Sequence, residues 1–165
     1  MRRVSVQMPA LRVVRGRLTG DVSPRARGAP WAAWSRAWLG VVVLAFVNGV
    51  LHRGYEGALG GLRAEQVSNV VLVVLLAPWV VRTEQRHHLS TAADAVAVGA
   101  AWASATVAFE FLFGRYVNGD VWAELLRAYN LSEGHIWLLT VAGIALAPLA
   151  ARAWRLRKQP LRDGD

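Results

Sequence analysis

The sequence predicts an all-α polytopic membrane protein with four transmembrane helices and a short amphipathic helix in the third of its loops. Hydrophobic residues make up 55% of the 165-residue chain, yet its formal net charge is +8. High apolar content and high charge are compatible when they occupy different segments, as they do here. Four segments are apolar nearly all round, whereas a surface helix of a soluble protein needs a polar face. Tryptophans and basic residues concentrate near the ends of these segments, which is typical of membrane helices.

The predicted transmembrane spans are residues 37–52, 67–82, 92–114 and 135–152. The first, second and fourth have only about 15–16 strongly apolar residues, whereas a comfortable span has roughly 20. The aromatic residues favour the membrane nevertheless: Trp38 opens the first span, Trp79 closes the second, and Trp137 opens the fourth. Trp102, in the middle of the third span, is expected to pack between helices. Most of the eight tryptophans therefore indicate an aromatic belt at the two bilayer surfaces.

The basic residues predict the orientation of the spans. Eight of the 19 Lys and Arg residues precede residue 37, and five follow residue 151, whereas the connections 52–66 and 115–135 hold two each. The positive-inside rule then places both termini in the cytoplasm. We divide the chain into a basic, disordered tail at 1–33, a transmembrane domain at 34–152 and a second basic tail at 153–165. The first apolar run begins too late for an ordinary cleaved signal peptide.

The basic tails have two possible roles. They either set the orientation alone or also attract anionic lipid headgroups, at about 1 kcal/mol for each basic residue near the surface. Nucleic-acid binding is not expected, because the tails lack aromatic interleaving and any recognisable motif.

The connection after the third span predicts the amphipathic helix. Asp120 is a suitable N-cap. Apolar and aromatic residues then recur at helical spacing, which predicts a helix with one apolar face; they are Val121, Trp122, Leu125, Leu126 and Tyr129. This helix either lies in the bilayer interface or folds over the bundle as a lid.

The sequence predicts no metal site and no cofactor. His87 and His88 are adjacent in the second connection, so they do not share a helix face, and a solvated turn is the simpler interpretation. The chain has no cysteine, which excludes thiolate ligands. Glu and His could ligate zinc, but no ligand-spacing motif is present. No nucleophile–base pair or nucleotide-binding loop appears either, so no catalytic residue is predicted.

Glu110 is the centre of the candidate site, because it lies in an apolar run, "VAFEFLFGRY" at 107–116. It precedes Arg115 by five residues, or about 7.5 Å along a helix, so it lies near the outer end of the third span. Trp102, Thr106 and Glu110 form a stripe at i, i+4 spacing that should face the bundle interior. Other polar residues have a similar depth. The predicted outward-facing pocket consists of Asn48, His52, Arg53, Asn69, Glu110, Arg115 and His135.

Three interpretations of Glu110 remain open at this stage, and in one of them it is an interfacial residue whose carboxylate reaches the water among the lipid headgroups. As structure, it pairs with an arginine or histidine and locks two helices together. As function, it handles a ligand or an ion, since ionisable groups inside membranes commonly mark such sites.

Several motifs carry a family resemblance. They are "FVNGVLHRG" (46–54), "VSN" (67–69), "RTE" (82–84), "TVAFEFLFGRYVNG" (106–119), "LLRAYNLSEGHIW" (125–137) and "LAP" (146–148). In these motifs the chain resembles a group of small, uncharacterised prokaryotic membrane proteins. The resemblance implies a four-span protein of the prokaryotic cytoplasmic membrane and brings no activity with it. Related proteins tend to have Arg where this chain has His135, so a fixed positive charge is absent there.

The leading functional hypothesis is a non-catalytic membrane component: a scaffold, a subunit or a sensor. The second is a small oligomeric transporter or channel for an ion or small solute, with its path formed between copies. A membrane enzyme has the least support. The expected partner is the lipid bilayer, and a further copy of the chain is a second possible partner. Small residues such as Gly99 and Ala103 recur at a spacing that lets helices approach closely, either within one bundle or between two copies.

Overall fold

The structure, a computed structural model, describes residues 29–158. The predicted disordered tail therefore lies outside the described residues up to residue 28, and the second tail from residue 159 onward. Within the described range there is no strand, so the predicted all-α class is confirmed. The α-helices are α1 (Trp31–Leu59), α2 (Gly61–Arg86), α3 (Ala92–Phe113), α4 (Trp122–Arg127) and α5 (Trp137–Lys158). A π-helical turn, Gly114–Asn118, continues α3, and a 3-10 turn, Leu131–Glu133, follows α4.

Four of these helices, α1, α2, α3 and α5, are long and apolar enough to cross a membrane. They run alternately up and down the bundle. We call the end that carries Gly60 and residues 114–136 the loop end. The other end, with the start of α1, the end of α5 and residues 87–91, is the terminal end.

Helices α1 and α2 are much longer than the predicted spans. They have 29 and 26 residues, about 44 and 39 Å at 1.5 Å per residue, whereas the hydrocarbon core of a bilayer is about 30 Å thick. The predicted connection 52–66 is consequently helical almost throughout. The reversal falls on Gly60, whose φ of 78° lies in the left-handed region that glycine adopts without steric cost. The hairpin therefore extends beyond a single bilayer thickness or tilts within it.

The core lies along the contacts of α3 with α5, α1 with α2, and α2 with α5. Trp34, Leu72, Val98 and Ile144 are among its buried side chains. Many large apolar side chains point outward instead, for example Val50 and Leu146 at 68% and 60% exposure. A surface of this kind is expected of helices that face lipid.

Helix α4 confirms the predicted amphipathic helix but begins differently. It starts at Trp122 with Val121 as the N-cap, so the prediction of Asp120 as the cap is wrong. The first turn is capped from within, because the Glu124 carboxylate accepts the Val121 amide hydrogen at 3.3 Å. Leu125 is buried against the bundle, while Leu126 on the other side is 59% exposed. The helix thus lies over the end of α3.

Candidate functional site

The carboxylate of Glu110 accepts two hydrogen bonds from neutral aromatic donors. The Tyr129 hydroxyl donates to Oε2 at 2.6 Å, and the Trp137 indole nitrogen donates to the same oxygen. Burial and the neighbouring carboxylate together raise the pKa of the Tyr129 hydroxyl well above its ordinary value. Glu110 therefore joins α3 to the loop after α4 and to the first turn of α5.

The π-helical turn after α3 helps to place these groups. Such turns widen a helix by one residue and recur at functional sites. Here the turn ends at Gly119, which has a φ of 82°, and the Asp120 amide donates to the Gly114 carbonyl at 2.9 Å. The chain then reverses toward α3, and Leu125 comes to lie beside Gly114, where a side chain larger than hydrogen would meet it. The loop is thereby folded back over Glu110.

A cavity of about 280 Å³ lies beside Glu110. All four long helices contribute to its wall, together with α4 and the π-helical turn. At one side the Trp38 indole donates to the Thr106 hydroxyl at 3.2 Å. Four aromatic side chains line the cavity: Trp38, Phe109, Phe113 and Trp137. The site therefore combines two carboxylates, those of Glu110 and Asp120, with aromatic walls, and we call it the Glu110 cavity.

The predicted interior stripe on α3 has the expected orientation. The Trp102 indole donates to the Trp34 carbonyl at 3.0 Å, Thr106 accepts from Trp38, and Glu110 accepts from the two aromatic donors. All three residues thus bond to other parts of the bundle.

The other predicted pocket residues do not converge on Glu110. The Asn48 side chain is buried and donates to the Ser68 hydroxyl at 2.7 Å; Asn69 is buried on the neighbouring helix. Arg53 is exposed. Arg115 is also exposed, and its guanidinium reaches only the Asp120 carbonyl at 3.4 Å.

The two histidines of the predicted pocket, His52 and His135, line a separate polar cleft at the loop end. His135 Nδ1 lies 2.7 Å from Glu65 Oε2, and His52 Nε2 lies 3.8 Å from Glu56 Oε2. The cleft has a volume of about 650 Å³. Its charged or titratable lining residues are His52, Glu56, Glu65, Arg127, Glu133 and His135. The region predicted as one pocket is thus divided between this cleft, the Asn48 contact and the Glu110 cavity.

The partners of Glu110 carry only faint signals in the sequence. Tyr129 falls on the predicted apolar face of the amphipathic helix, and Trp137 reads as a member of the aromatic belt. Neither pattern indicates that the Tyr129 hydroxyl and the Trp137 indole nitrogen point toward Glu110. Within residues 29–158, Glu110 forms no ion pair, and no three or more acidic or histidine side chains are grouped so as to hold a metal ion.

A fully buried carboxylate lies at the terminal end. Glu84 is 1% exposed, and its Oε1 accepts from Arg155 Nε at 2.8 Å. Both carboxylate oxygens also accept the Leu89 amide hydrogen, and Arg152 donates to the Leu89 carbonyl at 3.1 Å. His87 and His88 are exposed as the solvated turn predicts. The turn itself is nevertheless attached to α2 by the Glu84 carboxylate and to α5 by Arg152, because both bond to the backbone of Leu89.

The fold and these contacts define a class: a multi-pass helical membrane protein with a carboxylate cavity near one end and a buried ion pair near the other. No protein-family model, curated protein or solved structure matches the chain.

Proposed function

We propose that this chain is a non-catalytic membrane component, a sensor or a ligand-binding subunit, whose Glu110 cavity binds a small organic cation. The observation that carries the proposal is a half-buried carboxylate that two neutral donors hold in place and that no described basic side chain neutralises. A charge in a membrane interior is costly unless it is compensated. A cationic ligand supplies that compensation.

The hydrogen bonds of Glu110 leave room for such a ligand. Tyr129 and Trp137 both bond to Oε2, and Oε1 accepts no hydrogen bond from residues 29–158. Glu110 also lines the cavity. One oxygen is therefore fixed by the protein, while the other is available to a positively charged group in the cavity.

The walls of the cavity favour an organic cation over a hydrated metal ion. Aromatic rings attract ammonium groups through their π faces. The acidic side chains that line the cavity, Glu110 and Asp120, belong to no group of three or more described acidic or histidine side chains placed to hold a metal ion. The volume of about 280 Å³ is near the lower limit of ordinary ligand pockets. A compact ammonium compound therefore fits both the chemistry and the size.

A channel through a single chain has less support. Between the cavity and the terminal end, the Trp34 and Trp102 rings lie 5.4 Å apart, and both are buried. The Trp34 indole is further tied to the His87 carbonyl at 3.0 Å. The transporter or channel hypothesis consequently needs a path between copies, and a strictly monomeric protein in nanodiscs would count against it.

The proposed setting is a prokaryotic cytoplasmic membrane with the terminal end inside. The support is the excess of Lys and Arg in the two tails. Because the chain has no cysteine, a K158C variant carries one label site. A membrane-impermeant maleimide should leave it unlabelled in intact cells and label it after lysis. Labelling in intact cells would show that the terminal end faces the outside, which is the opposite of the proposed orientation.

The ligand proposal is tested with benzyltrimethylammonium and its uncharged carbon isostere, neopentylbenzene. Thermal unfolding of the full chain in detergent is followed by circular dichroism with each compound. The cation should raise the Tm of the wild type and should not raise that of Glu110→Gln, because the amide keeps the shape of the side chain and removes its charge.

The matched control is Glu56→Gln, which removes an exposed carboxylate outside the cavity and should respond to the cation like the wild type. Equal stabilisation by the uncharged isostere, or an undiminished response of Glu110→Gln, would show that the carboxylate does not select a cation. Glu110 would then be a helix-locking residue.

A further inference from the structure

A cleft between α1 and α2 at the terminal end has an unusual concentration of positive charge. Its volume is about 200 Å³, and it lies at the opposite end of the bundle from the Glu110 cavity. Its lining residues are Ala33, Arg36, Ala37, Trp79, Arg82, Thr83, Arg86 and His87. Three arginines on two helices thus face one space, which we call the arginine cleft.

None of these arginines is neutralised within the described part of the chain. The ion pairs there join His52 to Glu56, His135 to Glu65, and Arg155 to Glu84, and none of them involves the cleft. Arg36, Arg82 and Arg86 also make no hydrogen bond to another residue between 29 and 158, since the contacts in this region belong to other side chains. Like charges that share a cleft repel one another, so a bound anion would stabilise this arrangement.

The cleft has a fixed frame. The Trp79 indole donates to the Ala37 carbonyl at 3.0 Å, and the Thr83 hydroxyl donates to the Trp79 carbonyl at 2.9 Å. Gly40 leaves room for the Trp79 ring, because a Cβ atom at that position would overlap it. Helices α1 and α2 are thereby held at a set separation, and the side chains of the three arginines are exposed.

We propose that the arginine cleft binds a phosphate group. Guanidinium groups match the oxygens of a phosphate in paired hydrogen bonds. The cleft lies at the end of two spanning helices beside the interfacial Trp79, which is the depth of lipid headgroups. Basic pockets between membrane helices recognise anionic phospholipids in this way. The phosphate belongs to such a lipid or to a soluble phosphate compound, and the proposal does not depend on the ligand of Glu110.

The test measures lipid retention and phosphate binding with the purified full chain. Native mass spectrometry in detergent compares added phosphatidylglycerol with phosphatidylcholine, and thermal unfolding is followed with inorganic phosphate against chloride at equal ionic strength. The wild type should retain one phosphatidylglycerol in preference to phosphatidylcholine. Each arginine replaced by glutamine should weaken retention roughly fivefold, and the triple variant R36Q/R82Q/R86Q on the order of a hundredfold.

Arg157→Gln is the matched control. It removes one exposed charge at the same end but outside the cleft, so retention should be unchanged. Within residues 29–158 the cleft arginines form no ion pair and no side-chain hydrogen bond, so the triple variant should keep the helical circular dichroism of the wild type. A lysine triple variant, which keeps the charge, should recover part of the binding and lose the part that depends on guanidinium geometry.

The outcomes separate the sources of the phosphate. Stabilisation by inorganic phosphate without selective retention of the anionic lipid assigns the cleft to a soluble phosphate compound and supports the proposal in that form. Equal retention of the two lipids together with no effect of inorganic phosphate overturns it. An equal loss in Arg157→Gln and in the cleft variants also overturns it, because the effect would then be one of net charge alone.

Discussion

The Tyr129 hydroxyl donates to Glu110 Oε2 at 2.6 Å, and this contact ties the loop between α4 and α5 to the end of α3. The same oxygen accepts from Trp137 at the start of α5. A carboxylate in an apolar run thereby becomes the common acceptor for two segments that follow it in the chain. The arrangement has consequences that can be measured one residue at a time.

Replacing Tyr129 with Phe should loosen the loop over the Glu110 cavity. The substitution keeps the ring and removes a hydrogen bond to a charged group, which contributes about 1.5–3 kcal/mol. We expect a lower Tm and faster amide hydrogen exchange in residues 119–136. Tyr116→Phe, at a position that is 75% exposed, should change neither. An unchanged exchange rate in Tyr129→Phe would mean that the loop is held by its other contacts, the packing of Leu125 on Gly114 and the hydrogen bond from Asp120 to Gly114.

The Tyr129 contact should also give a stability change at alkaline pH. Its folded-state pKa is raised above an unfolded value of about 10, so the neutral hydroxyl is favoured by folding. This stabilisation is complete below the unfolded pKa and is lost as the pH rises through the folded pKa. A titration of phenolate absorbance from neutral to strongly alkaline pH should show a late-titrating group that is missing in Tyr129→Phe. Complete titration of all three tyrosines near the ordinary pKa would contradict this.

The ion pair between Glu84 and Arg155 should be essential to the terminal end. Arg155→Ala leaves a carboxylate that is 1% exposed without its counter-charge, and breaking a buried pair in this way costs about 3–5 kcal/mol. A strong fall in Tm is expected, with increased proteolysis near Leu89. Arg157→Ala removes an exposed arginine two residues further on and should have little effect. Similar Tm values for the two variants would exclude a dominant role for the pair.

The close approach of α3 and α5 at Gly99 should not tolerate a side chain. A Cβ atom there would overlap the Ala145 carbonyl oxygen, which is backbone and cannot turn aside. Gly99→Ala should therefore destabilise the bundle by about 1–3 kcal/mol, as overpacking does. Gly49→Ala is the control, because no atom lies within 4 Å of its added Cβ. It should be neutral or slightly stabilising, since alanine has a higher helix propensity than glycine. A loss of stability equal to that of Gly99→Ala would contradict the steric explanation.

Much of the candidate site was predictable, although its contacts were not. Glu110 is recognisable as a carboxylate in an apolar run, and Asn48 and Asn69 are recognisable as polar residues at a related depth. Depth along a helix follows from sequence position because each residue adds a constant rise. Rotation and lateral position depend on how the helices pack, so Glu110 meets Tyr129 and Trp137, whereas His135 meets Glu65.

At the terminal end, too, the contacts of a charged residue could not be predicted from the sequence around it. Glu84 lies in a polar sequence, "RTEQRHH", which predicts a solvated turn. Its carboxylate is nevertheless buried and paired with Arg155, which is 71 residues away in the chain. No local sequence pattern predicts this ion pair, because the two residues become neighbours only when α2 packs on α5.

The sequence by itself determined that this protein is an all-α bundle with four apolar helices and an amphipathic segment in its third loop. Those properties depend on local periodicity and composition, which can be read directly from the amino-acid sequence. Only the tertiary structure decided which polar atoms meet: two aromatic donors on Glu110, an arginine on Glu84, and three arginines without a described acidic partner in one cleft. The physical reason is that hydrogen bonds and ion pairs depend on a few ångströms and a defined angle, which only the packing of helices distant in the chain can fix.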